Sequence, residues 1–327
     1  MPTDKTIGTE LGFCFGVLGI NPSKEIDEML KVQNVDRESL GRFLNYYDKN
    51  PSLIDLMHDT GKKTRPYISS KVVLSPSSTS WEGSKKQAGL VRVSRDLVFS
   101  SVLYVSVKAE SDVIFNKSPS LVFEHLPRGD VTTEKKQDWY LQVARDKYQE
   151  LYSFFNPESR GYPSQIEDYC QSKGRGSFKD IVNNNYNEDA RHLYHKLCKK
   201  VSQESADIFN NNLSQKDILS EYLFRINSVS YILAGIDCKN QFAVEVPDST
   251  TWKNNYRLEE VYAYPVSAGQ PEVGIRAKVC AINTKEYFNF DFSVEVRWSH
   301  GKFNGNPEAK LYKKFAYKDV PWCYNII

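Results

Sequence analysis

The sequence predicts an α+β protein with a β-rich C-terminal subdomain, and three observations carry that reading. Apolar residues recur at helical spacing through the first sixty positions and again from Trp139 to Ile226. Short β-branched runs separate these stretches, between Ile68 and Phe115. After Ser228 the text is strand-like to the end. The two kinds of element are segregated along the chain instead of alternating, which is the α+β pattern.

In chain order, Ser23 is placed to cap a helix with Ile26, Met29 and Leu30 on its apolar side. Asp36 opens the next, which carries Leu40, Phe43, Leu44 and Tyr47. The runs ISSKVVL, LVRV, DLVF, VLYVSVK and DVIF then read as strands. Helical spacing returns over Trp139–Phe155. A further helix shows Tyr194, Leu197, Cys198, Val201 and Ile208 on one face. Ser214 caps another with Ile218, Leu219, Tyr222, Leu223 and Ile226. YILAGI, FAVEV, EVYAYPV, GIRAKVCAI and FNFDFSVEVRW supply the last strands. These shifts divide the chain into a helical region 1–67, a core 68–227 and a β-rich region 228–327.

A chain of 327 residues that is 40% hydrophobic is too apolar to be disordered. A mean hydropathy of −0.54 with no long apolar run argues against membrane-spanning helices. The six cysteines show neither a C-x-x-C pair nor a His at zinc-ligand spacing. That usage fits a reducing compartment, and the first apolar stretch lacks the basic start and cleavage site of a signal peptide. A cytoplasmic location with no membrane partner is the expectation. His192 and His195 are three apart on a helix without a companion Glu motif and read as ordinary surface or core residues. No Walker-type loop, G-x-S-x-G elbow or G-x-G-x-x-G is present.

The net charge of +2 conceals a polarised distribution. Residues 1–61 sum to −4, while residues 62–95 hold eight basic side chains against the single acid Glu82. Residues 276–327 sum to +4. Lys85, Lys86 and Arg92 lie in the first basic block, and such blocks beside a candidate site favour contact with phosphates.

That block leads into Arg92–Ser111, drawn as two strands joined at Ser100–Ser101. Asp96 falls at the start of the first strand and Lys108 near the end of the second. A hairpin therefore sets a carboxylate beside a lysine. Phosphodiester hydrolysis needs a carboxylate-held divalent cation and gains from a lysine that orients or deprotonates water.

In these residues the chain resembles the PD-(D/E)XK nuclease core of type II restriction endonucleases. Arg95-Asp96 and Ser106-Val107-Lys108 carry the match, over roughly thirty residues. Arg95 replaces the proline, which the family tolerates, and Ser106 stands where the second acid belongs. Glu110, two residues past Lys108 on the same strand, is available to supply that carboxylate. The text DVIFNKSPSLVFEHLPRGD is also similar to the region after the active-site lysine in some restriction enzymes. The resemblance implies a mixed sheet flanked by helices. It also implies Asp96 on Mg2+, Lys108 near the attacking water, and Glu110 or Glu82 completing the metal shell.

Two other stretches compete or contribute. Asp237-Cys238-Lys239 matches the D-x-K half-motif more closely, with Asp217 or Glu221 as upstream acid, yet it also reads as a hairpin turn over Asp237–Asn240. Near the C-terminus, a polar loop carries Arg297, His300, Lys302, Asn304, Asn306 and Lys310, residue types that read base edges and phosphates. The expectation is a Mg2+-dependent, sequence-specific endonuclease that acts on double-stranded DNA as a homodimer, because two-fold sites suit two-fold proteins. The alternatives are a DNA-binding protein that does not cut, or an interaction protein whose basic blocks are incidental.

Overall fold

A computed structural model describes residues 2–83, 95–131, 138–156, 161–172, 178–237, 240–267 and 269–327. The chain forms two compact units, each built from discontinuous segments. The first comprises Met1–Ser111, Phe224–Asn255 and Phe315–Ile327; the second comprises Asp112–Leu223 and Tyr256–Lys314.

The first unit begins with helices α1 (Asp4–Leu18), α2 (Ile26–Met29), α3 (Arg37–Lys49) and α4 (Pro51–Lys71). Strands β1 (Thr79–Trp81), β2 (Leu97–Phe99) and β3 (Leu103–Ala109) follow. The chain then supplies the second unit with β4 (Val113–Lys117), α5 (Leu126–Arg128), α6 (Trp139–Phe155), α7 (Ile166–Gln171), α8 (Phe178–Asn184), α9 (Glu188–Asn211) and α10 (Lys216–Leu223). β5 (Tyr231–Asp237), β6 (Asn240–Val246) and α11 (Ser249–Asn255) return to the first unit. The second unit gains β7 (Tyr256–Ser267), β8 (Pro271–Ala281), β9 (Tyr287–Arg297) and β10 (Glu308–Lys313), and β11 (Tyr324–Asn325) closes the first.

In the first unit the strands form a mixed sheet in the order β1-β2-β3-β5-β6-β11. Among the described residues its one parallel strand pair is β3 with β5, in register from Val105↔Ile232 to Ala109↔Ile236. A parallel pair needs a long crossover, and here residues between the two strands build much of the second unit. For that reason the compact units cut across the consecutive stretches 1–67, 68–227 and 228–327 drawn from the sequence. The second unit holds an antiparallel sheet, β4-β10-β9-β8-β7. The fold class is α+β, with most of the C-terminal strands in that second sheet.

Helix α1 is buried from Ile7 to Val17 and forms the centre of the first core with Phe43, Ile54, Met57, Val105 and Ile232. It lies against α4 at backbone contact. A Cβ on Gly61 would stand 2.2 Å from the Phe13 carbonyl oxygen, and one on Gly16 would stand 2.0 Å from that of His58. Gly61→Ala is therefore expected to destabilise the protein by roughly 1–3 kcal/mol through forced separation of the helices. Chemical denaturation checks this, and an unchanged midpoint would show that the contact relaxes freely.

Local signals were accurate where local chemistry decides. Asp36 caps α3 in a reciprocal box with Ser39, and α6 runs over Trp139–Phe155. The run ISSKVVL is not a strand: α4 continues to Lys71, with Ile68 fully buried in the core. The β preference of such residues is worth tenths of a kcal/mol, less than the burial of one isoleucine on a helix already under way. Ser23 caps no helix. Its N–H bonds to Asn21 Oδ1 in a turn, and the single turn α2 starts after Glu25. The expected strand LVRV lies outside the described residues. Among the described residues no helix is long and apolar enough to cross a membrane.

Candidate active centre

β2 and β3 pair antiparallel from Leu97↔Val105 to Phe99↔Leu103. The connecting Ser100 and Ser101 both have positive φ, 49° and 62°, the geometry of a tight hairpin turn matched to strand twist. The turn fixes the register, and the register fixes the chemistry. Asp96, just before β2, is 5% exposed. Its Oδ2 accepts from the Val107 N–H (2.7 Å) and from the Ser106 hydroxyl (3.2 Å). Lys108 Nζ stands 4.0 Å from the same oxygen. The hairpin thus brings together the acid and the lysine that the sequence placed on adjacent strands.

A third residue enters from α1. Glu10 is 5% exposed, and its Oε2 accepts from Trp81 Nε1 at 2.7 Å. A Cβ at position 83 would stand 2.0 Å from that oxygen, so a larger residue there would have to displace the Glu10 carboxylate. Burial, then the nearby charge of Asp96, pushes the Glu10 carboxyl up to about 8 against the pull of Trp81 and Lys108. Burial also draws the Lys108 ammonium below the ordinary lysine range. Asp96 opposes that shift, the positive charge of Arg225 adds to it, and Glu10 opposes it.

Glu10 and Lys108 open to solvent through a cavity of about 380 Å³, while Asp96 is buried behind Lys108. Thr3, Lys5, Thr6, Thr9 and Glu10 line it from the α1 side, and Val107 to Ser111 from the β3 side. A buried carboxyl raised by desolvation and by a neighbouring carboxylate, next to a lysine in an open cavity, is a candidate functional site on physical grounds.

The other sequence candidates are distributed as follows. Glu110 lies past the end of β3 with φ of 53°, so strand alternation stops before it. Its carboxylate lines the cavity mouth and pairs with Lys5 at 3.6 Å. Glu82 is tied to Asp96 by its backbone N–H (2.9 Å to the Asp96 carbonyl), while its carboxylate takes bonds from Ser80 Oγ and Asn34 Nδ2. Lys85, Lys86 and Arg92 lie outside the described residues. So do Cys238 and Lys239 of the competing motif; Asp237 pairs in register with Asn240 across that hairpin, and Asp217 and Glu221 are on α10.

In the second unit, the Arg297–Lys310 segment is anchored rather than freely displayed. Phe303 is fully buried, with φ of 61°, stacked on Tyr148 and Trp298 at 5.4 Å from each. Lys302 is half-buried, with Nζ 4.4 Å and 4.7 Å from the ring centres of Tyr186 and Tyr194. Arg297 pairs with Glu295 at 3.7 Å, and Asn304 Nδ2 bonds to the His300 carbonyl at 3.2 Å. His300 and Asn306 are exposed, and Lys310 is half-buried on β10.

Sequence reading missed Glu10. The available signal was a single acid in the apolar run of α1, where burying a charge is costly without a compensating role. Among the described residues no three His, Cys, Asp or Glu side chains converge as a ready metal cage. The centre instead offers two carboxylates. That donor set fits Mg2+, which prefers oxygen ligands and is commonly held by one or two carboxylates with water filling the remaining positions. In comparisons with known proteins, no family model, no curated protein and no solved structure matches this chain.

Proposed function

We propose that this protein is a Mg2+-dependent, sequence-specific endodeoxyribonuclease of the type II restriction class, with a PD-(D/E)XK-like centre. The observation that carries the reading is a solvent-open cavity lined by Glu10 and Lys108, with the buried Asp96 carboxylate 4.0 Å behind Lys108 Nζ. Glu10 compensates for the serine at 106 by supplying a second carboxylate from a helix. A helix laid on a mixed sheet whose central hairpin bears the acid and the lysine also accords with the family resemblance.

Asp96 and Glu10 would hold the cation, which when bound polarises the phosphate and lowers the pKa of water. Lys108, drawn below the ordinary lysine range, is suited to take the proton of the attacking water on Nζ. The water oxygen bonds to phosphorus as the P–O bond to the leaving sugar oxygen breaks. Base reading is assigned to the polar C-terminal loop, through His300, Asn306 and Lys310, with Arg297, Lys302 and Asn304 nearby. A two-fold homodimer would suit a symmetric duplex target, and the molar mass from sedimentation in the analytical ultracentrifuge tests it.

Plasmid DNA incubated with the protein and Mg2+ should give discrete fragments, and EDTA should suppress them. Asp96→Ala should lower cleavage at least about 1,000-fold while sparing DNA binding, as expected for loss of a metal-holding carboxylate. Intact DNA over varied sequence would sink the proposal. A second reading, a degenerate nuclease that binds without cutting, is favoured by Ser106 alone. It predicts salt-sensitive binding with no fragments at any Mg2+ concentration.

A further inference from the structure

We propose that Arg225 is a positioning residue for Asp96, acting through the Ser106 hydroxyl; this rests on Asp96 as the Mg2+-holding carboxylate. Arg225 is 4% exposed, an unusual setting for a guanidinium. Its backbone has φ of 58°, a left-handed conformation that costs a non-glycine residue roughly 1–2 kcal/mol. Such strain persists only where the surroundings over-determine the residue. Here Tyr231 Oη donates to the Arg225 carbonyl at 3.1 Å, holding the strained backbone in place.

From that position Nη2 lies 3.5 Å from Ser106 Oγ, across 119 residues of sequence. The hydroxyl has one proton, and it goes to Asp96 Oδ2 at 3.2 Å. Its oxygen is therefore the side offered to the guanidinium. With the Val107 N–H as a second donor, Oδ2 is held by the protein, and Oδ1 is the oxygen left to meet a cation. The arrangement also explains the serine. A carboxylate at 106 would face the guanidinium and form a buried ion pair with it instead of joining the metal shell. The Arg225 and Lys108 cations both interact with the buried carboxylate of Asp96.

The test is a double-mutant cycle on the full chain with Ser106→Ala, Arg225→Met and both together. Mg2+ affinity is read by calorimetry and cleavage by steady-state kinetics. Each single variant should weaken Mg2+ binding roughly tenfold or more, as second-layer changes at metal sites do. Each should lower kcat with KM for DNA unchanged. The double variant should be no worse than the more damaged single, because both changes break one chain of contacts. Arg225→Lys, which keeps the charge but not the fork, should fall between wild type and Arg225→Met. Additive losses in the double variant overturn the proposal. So does unchanged Mg2+ affinity in Ser106→Ala, a change small enough to fold even where Arg225→Met does not. A wild type that binds Mg2+ but leaves DNA intact removes the nuclease reading while the calorimetric cycle still decides on Arg225. A wild type that binds no Mg2+ overturns both.

Discussion

Glu10→Gln is expected to abolish Mg2+-dependent cleavage and, in the absence of metal, to make the protein more stable. The two effects share a cause. Glu10 is buried beside Asp96 with its carboxyl raised from 4.5 to about 8, so the folded state holds a proton that the unfolded state releases. Below pH 4.5 both states are protonated and nothing is lost. Above it the folded form is penalised progressively as pH rises toward the folded value, by about 1.4 kcal/mol per unit. At pH 7 glutamine should relieve on the order of 3 kcal/mol, and the difference from wild type should vanish toward pH 4. Its amide oxygen can still accept from Trp81 Nε1, so the packing survives. The amide is a poor Mg2+ ligand, so cleavage should fall at least about 100-fold, as for loss of a ligating or supporting group. Thermal melts with and without Mg2+ report both arms. Wild type should be stabilised by the ion and Glu10→Gln should not. A variant less stable than wild type at neutral pH without metal would contradict the electrostatic account, and one that still cuts would remove Glu10 from the site.

Lys108→Arg, though it preserves charge, should be nearly as damaging as Lys108→Met. Arginine does not lose its proton in this pH range, and a bulkier planar head does not reproduce a single Nζ 4.0 Å from Asp96. If Lys108 takes a proton from water, both variants should lose about 100- to 10,000-fold in kcat. Burial lowers the pH at which Lys108 becomes neutral, so the wild-type rate should rise with pH and level off before the range of a free lysine. That limb should be missing from Lys108→Arg. A variant within tenfold of wild type with the same profile would make Lys108 an electrostatic residue and assign the base elsewhere.

Much of the centre is legible because it is local. Asp96 and Lys108 sit on neighbouring strands joined by a two-residue turn, so a pattern of some twenty residues contains their geometry. The capping box at Asp36 and helix α6 are legible for the same reason. The segment around Phe303 shows where local reading stops. Its donors suggested an open loop, but Tyr148, which stacks on Phe303, and Tyr186 and Tyr194, which cover Lys302, come from α6, the chain before α9 and α9.

The sequence by itself determined the α+β class, the charge polarity along the chain and the acid–lysine hairpin, since propensity, capping and turn chemistry act over a few residues. Only the tertiary structure decided what completes the site. Glu10 arrives because glycines let α1 settle against α4, and Arg225 arrives because the chain before β5 returns to pair that strand parallel with β3. No periodicity encodes those meetings. They follow from which buried surfaces close on one another, and that closure raises the Glu10 carboxyl and lowers the Lys108 ammonium.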